Sequence, residues 1–191
     1  MNFADRIAAA LMAPAPDSLL PGDLLEGAVD EATPAAVLVA ITDRPDPGLL
    51  LTVRREHLRA HAGQIAFPGG RIDPGEDAAT AALREAREEL ALDPLMVRLI
   101  GAADPYRTVT GYLVTPMVAL VPPGLPLVAN PDEVADWFEA PLDFVLDPVN
   151  QQRMSAEFRG RRRHYYQIDW NGRPIWGATA AMLVNLGMRL R

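Results

Sequence analysis

The residues best suited to chemistry stand between Gly69 and Leu92. A loop running Gly69-Gly70-Arg71-Ile72-Asp73-Pro74-Gly75-Glu76 leads into Asp77–Leu90, a stretch without Gly or Pro and rich in Ala, Leu, Glu and Arg. That composition predicts the strongest helix of the chain. At about 100° per residue, Glu85, Glu88 and Glu89 fall within roughly 100° of arc on one helix face. Ala79, Ala82, Leu83, Ala86 and Leu90 share another arc, which supplies the stripe to be buried. Arg84 stands four residues before Glu88 and can pair with it. Carboxylates held together repel, and a divalent cation relieves that repulsion. Hard oxygen donors at this spacing suit Mg²⁺ or Mn²⁺, which also engage substrate phosphates. A Glu/Arg-rich helix can equally be a solvated charged face. The Gly-rich approach favours a site, because it brings backbone close to the start of the same helix.

These residues need a scaffold, and the rest of the chain predicts one. Phe3, Ile7 and Leu11 recur at helical spacing, so a short amphipathic helix is expected at the N-terminus. The apolar run Ile7–Ala13 is too short for a secretory leader, and Asp5 cancels the charge of Arg6. Residues 14–34 form a connector with a helical turn at Ser18–Leu25. Ala35–Thr42 and Gly48–Arg54 are β-prone and are joined by a Pro/Gly turn, a hairpin signal. Residues 60–75 are loop with room for a short strand. Strands follow at Met96–Ala103, Tyr112–Val121 and Glu133–Ala140, then a short helix at Leu142–Leu146. Arg161–Asp169 and Arg173–Trp176 flank Asn171-Gly172, the mark of a tight hairpin. Ala178–Leu190 closes the chain as an apolar helix, with Trp137 and Trp176 expected in the core. A mixed sheet carrying helices follows from this pattern.

Composition narrows the function classes. With 191 residues, 49% apolar and 23% charged, the chain suits one folded domain rather than disorder. It carries 25 acids against 18 bases, net −7, so nucleic-acid binding by bulk charge is not expected. Every base is Arg, the residue suited to bidentate phosphate contacts. Cysteine is absent, which removes disulfides, thiolate nucleophiles and zinc–cysteine sites. His57, His61 and His164 lack ligand-like spacing, leaving oxygen donors for any metal. No stretch approaches the roughly 20 apolar residues of a membrane span, so a cytoplasmic location is expected.

Gly70, Glu76, Arg84, Glu85, Glu88 and Glu89 match the Nudix box, G-x5-E-x7-R-E-U-x-E-E-x-G-U, with Ala86 and Leu92 at the aliphatic positions. The chain therefore resembles the Nudix hydrolases. One position departs, since Ala91 stands where the box has its last Gly. Either the helix extends through Ala91, or Ala91 takes a left-handed conformation at a cost on the order of 1 kcal/mol. The resemblance implies an α/β (α+β) fold, an α/β/α sandwich around a mixed sheet, and hydrolysis of a diphosphate linked to another moiety. It further implies Glu85 and Glu89 as principal ligands of Mg²⁺ or Mn²⁺, with Glu88 additional. Arg84 resembles the residue that orients these glutamates, and Glu76 a supporting carboxylate. The general base stays open between a box glutamate and a loop residue. Glu133 lies downstream and reads better as a structural residue at a strand edge.

The preceding segment narrows the substrate. Leu50-Leu51-Thr52-Val53-Arg54, Arg59, Gly63 and Phe67-Pro68-Gly69-Gly70 resemble the signature L-L-T-x-R-[SA]-x3-R-x3-G-x3-F-P-G-G of coenzyme A diphosphatases. Only Arg55 departs, at the Ser/Ala position. Ile175-Trp176-Gly177-Ala178-Thr179-Ala180 resembles the same subfamily less specifically. Substrate binding is then expected of Arg54 and Arg59 with Gly69 and Gly70. Gly63, Gly69 and Gly70 suit positive φ or close backbone approach, and Phe67 suits packing. Arg161-Arg162-Arg163 reads as a basic strand edge. Tyr165, Tyr166 and Trp170 read as cross-strand packing.

The expected activity is metal-dependent cleavage of coenzyme A to 4′-phosphopantetheine and adenosine 3′,5′-bisphosphate. Alternatives are a broader diphosphatase of ADP-ribose or dinucleotides, and a non-catalytic nucleotide sensor. The full set of box carboxylates argues against the sensor. The expected partners are a small-molecule substrate, no nucleic acid and no membrane, with a homodimer left open. The domain organisation expected is a single Nudix domain over residues 1–191: an N-terminal helical extension at 1–33, the upstream motif at 50–70 and the box at 70–92.

Overall fold

The computed structural model describes residues 2–23, 32–55, 63–158 and 160–191. Helix α1 (Phe3–Met12) starts at Asn2, whose side chain accepts the Asp5 N–H at 2.9 Å. Its Ile7 is 1% exposed and anchors it to the core. Strands β1 (Thr33–Thr42) and β2 (Gly48–Arg54) meet as expected, the turn being closed by the Gly48 N–H donating to Thr42 Oγ1 at 2.6 Å.

The two strands are in register only at Ile41↔Leu49. Beyond that point they diverge, and the fork is filled from the upstream motif. β3 (Ile65–Ala66) pairs with β2, while β4 (Gly69–Arg71) pairs with β1. Phe67, 3% exposed, packs between them, and the Pro68 carbonyl accepts the Leu38 N–H at 2.8 Å. That fork delivers the glycines to the helix that follows, α2 (Ala78–Leu90).

On its other side β1 runs parallel to β7 (Tyr112–Val121) along its whole length. β7 also pairs antiparallel with β5 (Arg98–Ala102) and β6 (Tyr106–Arg107). β8 (Val134–Pro141) covers the outer edge of β2 and leads into α3 (Leu142–Leu146). The parallel pair makes the sheet mixed. Alternation along β1 then sends side chains to two separate cores. Ala36, Leu38 and Ala40 meet Ala81, Ala82, Ala86 and Leu90 of α2. Ala35, Val39 and Ile41 belong to the core beneath α4 (Ala178–Leu190), with Leu183 and Leu186. The result is an α/β/α sandwich. Small residues on both sides of the first core let α2 lie close to the strands, which fixes where its glutamates emerge.

A second antiparallel sheet consists of β9 (Gln152–Phe158), β10 (Arg161–Trp170) and β11 (Arg173–Trp176). Asn171 and Gly172 both have positive φ, as a type I′ turn requires. Arg161–Arg163 lie on β10 where it pairs with β9, while β11 pairs only with Gln167–Trp170, so one side of this basic stretch is a strand edge as expected. Elsewhere the structure differs from expectation. Trp176 is 41% exposed, and Tyr165 meets its ring edge-on at 6.0 Å. Met96 falls in a short 3₁₀ turn at Pro94–Met96, so β5 begins only at Arg98. The segment Ser18–Asp23 forms a turn and a single bridge rather than a helix, and the remainder of that connector lies outside the described residues.

Ala91 takes the left-handed conformation, φ 53° and ψ 28°. Its N–H donates to the Arg87 carbonyl at 2.9 Å, and the Leu92 N–H reaches the Ala86 carbonyl at 3.4 Å. Leu92 is 1% exposed and pins the chain reversal. Because an L-side chain is strained in this conformation, Ala91→Gly is expected to raise stability by about 1 kcal/mol. Thermal melts check this, with unchanged divalent-metal binding as the companion readout.

Candidate active site

The site grows from the pairing of β4 with β1. A Cβ on Gly69 would lie 2.4 Å from the Ala36 carbonyl oxygen, so only glycine fits at that strand crossing. A Cβ on Gly70 would lie 2.4 Å from Glu85 Oε1, so the Glu85 carboxylate rests directly on the Gly70 backbone. Gly75, at φ 90°, turns the loop. Asp77 then caps α2 by accepting the Thr80 N–H at 2.7 Å, so the helix begins at Ala78, one residue later than a helix starting at Asp77.

Arg84 is the hub. Its Nε and Nη2 donate to the two oxygens of Glu76 at 2.9 and 3.1 Å, a bidentate pair. Nη1 donates to Glu85 Oε1 at 2.9 Å and Glu88 Oε2 at 3.2 Å, and Nη2 also donates to the Arg71 carbonyl at 2.9 Å. The Arg84 hydrogen bonds, with one from the Asp73 backbone, hold the Glu76 carboxyl below its ordinary range. One side chain thus ties the loop at Arg71 and Glu76 to the helix.

Glu89 stands apart. It is 2% exposed, and Arg54 Nη1 lies 3.8 Å from its Oε1. Its Oε2 has no hydrogen-bond partner among the described residues. Burial pushes its carboxyl up to about 8, against the pull of Arg54 and the Gly69 backbone. Glu85 is raised as well, mainly by burial, with Arg84 opposing. Both glutamates are pushed further up by the charge of Glu133. Glu133 arrives there because the preceding loop folds over the end of α2. The Val128 and Asn130 N–H groups donate to the Leu90 and Glu89 carbonyls, and the Glu133 carbonyl accepts the Arg55 N–H.

The structure therefore brings Glu85, Glu89, Arg54, Gly69 and Gly70 together, and adds Glu133, which the sequence assigned a structural place. Glu133 is 44 residues beyond Glu89, and no local pattern connects them. Glu88 points outward, its side chain 52% exposed and held by Arg84. Arg59, His57 and His61 lie outside the described residues. Among the described residues no three acidic or imidazole side chains close into a finished cation cage. The donor set nonetheless fits a hard divalent cation: a buried carboxylate oxygen on Glu89 with no hydrogen-bond partner among the described residues, and the charges of Glu85 and Glu133 close enough to act on it. A methyl group on Gly70 would displace Glu85. Gly70→Ala is accordingly expected to weaken Mn²⁺ binding at least tenfold while the chain still folds, as titration calorimetry and circular dichroism would show.

Among the described residues no helix is long and apolar enough to cross a membrane. The family model for the NUDIX domain matches residues 32–170. The protein called uncharacterized Nudix hydrolase NudL of Escherichia coli (strain K12) is 45% identical over 157 residues, 82% of each chain. Among solved structures, the Nudix hydrolase RenU of M. smegmatis superposes with a TM-score of 0.51 at 23% identity, over 60% of this chain and 74% of its own. A C. elegans Ap4A hydrolase in a binary complex gives 0.50 at 22% identity, over 57% and 80%. At those identities the two structures report on the fold alone.

Proposed function

Since this chain belongs to the Nudix family, we propose that it is a divalent-metal-dependent diphosphatase whose reaction runs at the Glu85–Glu89 face of α2. The observation that carries this is the buried Glu89 carboxylate, with one oxygen unpartnered among the described residues, beside Glu85 and Glu133. Glu85 and Glu89 hold the cation, Glu88 supplements them from the rim, and Arg84 with Glu76 keeps Glu85 in place. When bound, Mg²⁺ or Mn²⁺ supplies charge for the phosphoryl oxygens and lowers the pKa of a water. Gly69 and Gly70 let the diphosphate approach the backbone. Glu133, whose charge both glutamates feel, is the proposed acceptor of the proton from the attacking water. Chromatography of products from ADP-ribose, dephospho-CoA and CoA tests the class, since cleavage of the diphosphate yields two monophosphates from the first two and 4′-phosphopantetheine with adenosine 3′,5′-bisphosphate from CoA.

A finer proposal concerns coenzyme A. It is supported by the Leu50–Gly70 segment and by Arg54 of that segment standing 3.8 Å from Glu89. Arg54 and Arg59 then favour the substrate carrying the extra 3′-phosphate. A charge-assisted hydrogen bond is worth about 1.5–3 kcal/mol, roughly tenfold to a hundredfold in selectivity. CoA should therefore exceed dephospho-CoA in kcat/KM by that ratio, and Arg54→Ala or Arg59→Ala should narrow it. Arg54→Ala also disturbs Glu89, so the ratio between substrates is the informative quantity, not the rate. Preference for ADP-ribose over CoA would defeat the CoA proposal and leave the diphosphatase standing.

A further inference from the structure

The second sheet ends in a strand whose outer side is open. β9 pairs with β10 in unbroken register from Gln152↔Gln167 to Phe158↔Arg161, and among the described residues it pairs with no other strand. In an antiparallel pair every second residue turns its N–H and C=O away from its partner strand. The outer side of β9 therefore carries a row of backbone donors and acceptors. Residues 152–157 are all exposed. Other strands have blunted edges: β11 has four residues including Pro174, and β5 is bulged between Leu99 and Gly101. β9 has seven residues and neither Pro, Gly nor a bulge. Its charges then decide which strand fits.

Arg153 and Glu157 stand two places on either side of Ser155, on one face of the strand. A second β9 laid antiparallel about a two-fold axis at Ser155 sets Arg153 opposite Glu157 of the copy, and Glu157 opposite Arg153 of the copy. Within each chain Glu157 is already opposite Arg162 of β10. The carboxylate thus comes to lie between two arginines. Moving the axis to Met154 or Ala156 sets a charge against Ser155. Moving it to Arg153 or Glu157 sets like charges together. Only the Ser155 register pairs both charges with their opposites.

The other face of β9 agrees with this register. Met154, 36% exposed, stands opposite Tyr165, whose ring meets that of Trp176, 41% exposed. The axis at Ser155 makes the two Met154 side chains diagonal neighbours across the join, within reach of each other. The apolar stripe of Trp176, Tyr165 and Met154 continues into its own copy, and the open side of Met154 is covered.

We infer that the outer edge of β9 binds the same edge of a second copy of this chain, joining the two three-stranded sheets into one about a two-fold axis at Ser155. The inference does not depend on the diphosphatase proposal, because no residue of β9 belongs to the Glu85–Glu89 face of α2.

Sedimentation velocity of the full chain from about 1 μM to about 1 mM tests it. Wild type should pass reversibly from monomer to dimer within that range. Arg153→Glu and Glu157→Arg each make both charge pairs repulsive, so each should weaken association at least about tenfold. Mixed in equal amounts, the two variants should form a heterodimer about as strong as the wild-type dimer, because each pair then joins a carboxylate to a guanidinium. Both positions are exposed, so circular dichroism of the variants should match wild type. A wild-type chain that stays monomeric throughout overturns the inference, whatever other strand β9 accepts. A wild-type dimer that either single variant leaves unweakened lies elsewhere on the molecule and overturns it too. Failure of the mixed variants to associate, with each still folded, overturns the Ser155 register and with it the inference.

Discussion

Glu89→Gln is expected to lower metal-dependent hydrolysis by about two to three orders of magnitude while making the metal-free protein more stable at pH 8. The amide keeps the shape of the side chain and removes the charge that the cation needs. The stability effect follows from burial. The carboxyl of Glu89 sits at about 8 in the folded chain against an ordinary 4.5, so the folded state binds its proton more tightly. Stability conferred by that proton is complete below pH 4.5 and is lost as pH rises toward 8, by up to about 1.4 kcal/mol per pH unit. Glutamine does not titrate and escapes this loss. Urea melts in EDTA at pH 5 and pH 8 should show the variant gaining on wild type only at the higher pH. Metal binding to wild type should correspondingly release a proton and tighten with pH below 8. Normal turnover by the variant with Mg²⁺ would remove Glu89 from the metal site.

Arg84→Ala should cost about a hundredfold in kcat and about 1–3 kcal/mol in stability. The side chain holds Glu76, Glu85, Glu88 and the Arg71 carbonyl at once. Its loss frees Glu85 from the Gly70 backbone and leaves Glu76 without its bidentate partner. Arg84→Lys keeps the charge but not the planar fork, so it should recover little of the rate. Full activity in Arg84→Lys would mean that charge alone, not geometry, organises the carboxylates.

Much of this arrangement is legible in the sequence because it is local. The α2 helix, its Asp77 start and the Glu85–Glu89 spacing lie within one turn-and-helix unit. β2, β7, α3 and α4 run between the same residues that their patterns mark. β9 gave no such pattern, since Gln152–Ala156 alternates no apolar face and is almost wholly exposed. β6 is two residues long and exists only through its partner β7. The left-handed Ala91 was an open choice, decided by Leu92 turning back into the core. Non-local features were hidden in the same way. Glu133 reaches the site through a loop laid over the end of α2, and Asp23 meets Tyr106 across 83 residues of sequence. Arg54 was recognisable as a site residue from its motif, but its position beside Glu89 depends on how β2 diverges from β1.

The Glu85–Glu89 face is proposed to hold a divalent cation that promotes hydrolysis of a diphosphate. The most direct measurement is product analysis after incubating the purified chain with CoA, dephospho-CoA and ADP-ribose, in Mg²⁺ and in excess EDTA. At least one of the three should be split at its diphosphate in Mg²⁺ and left intact in EDTA, with CoA fastest and yielding 4′-phosphopantetheine and adenosine 3′,5′-bisphosphate. Cleavage undiminished by EDTA, or all three substrates intact in Mg²⁺ and in a parallel incubation with Mn²⁺, would contradict it.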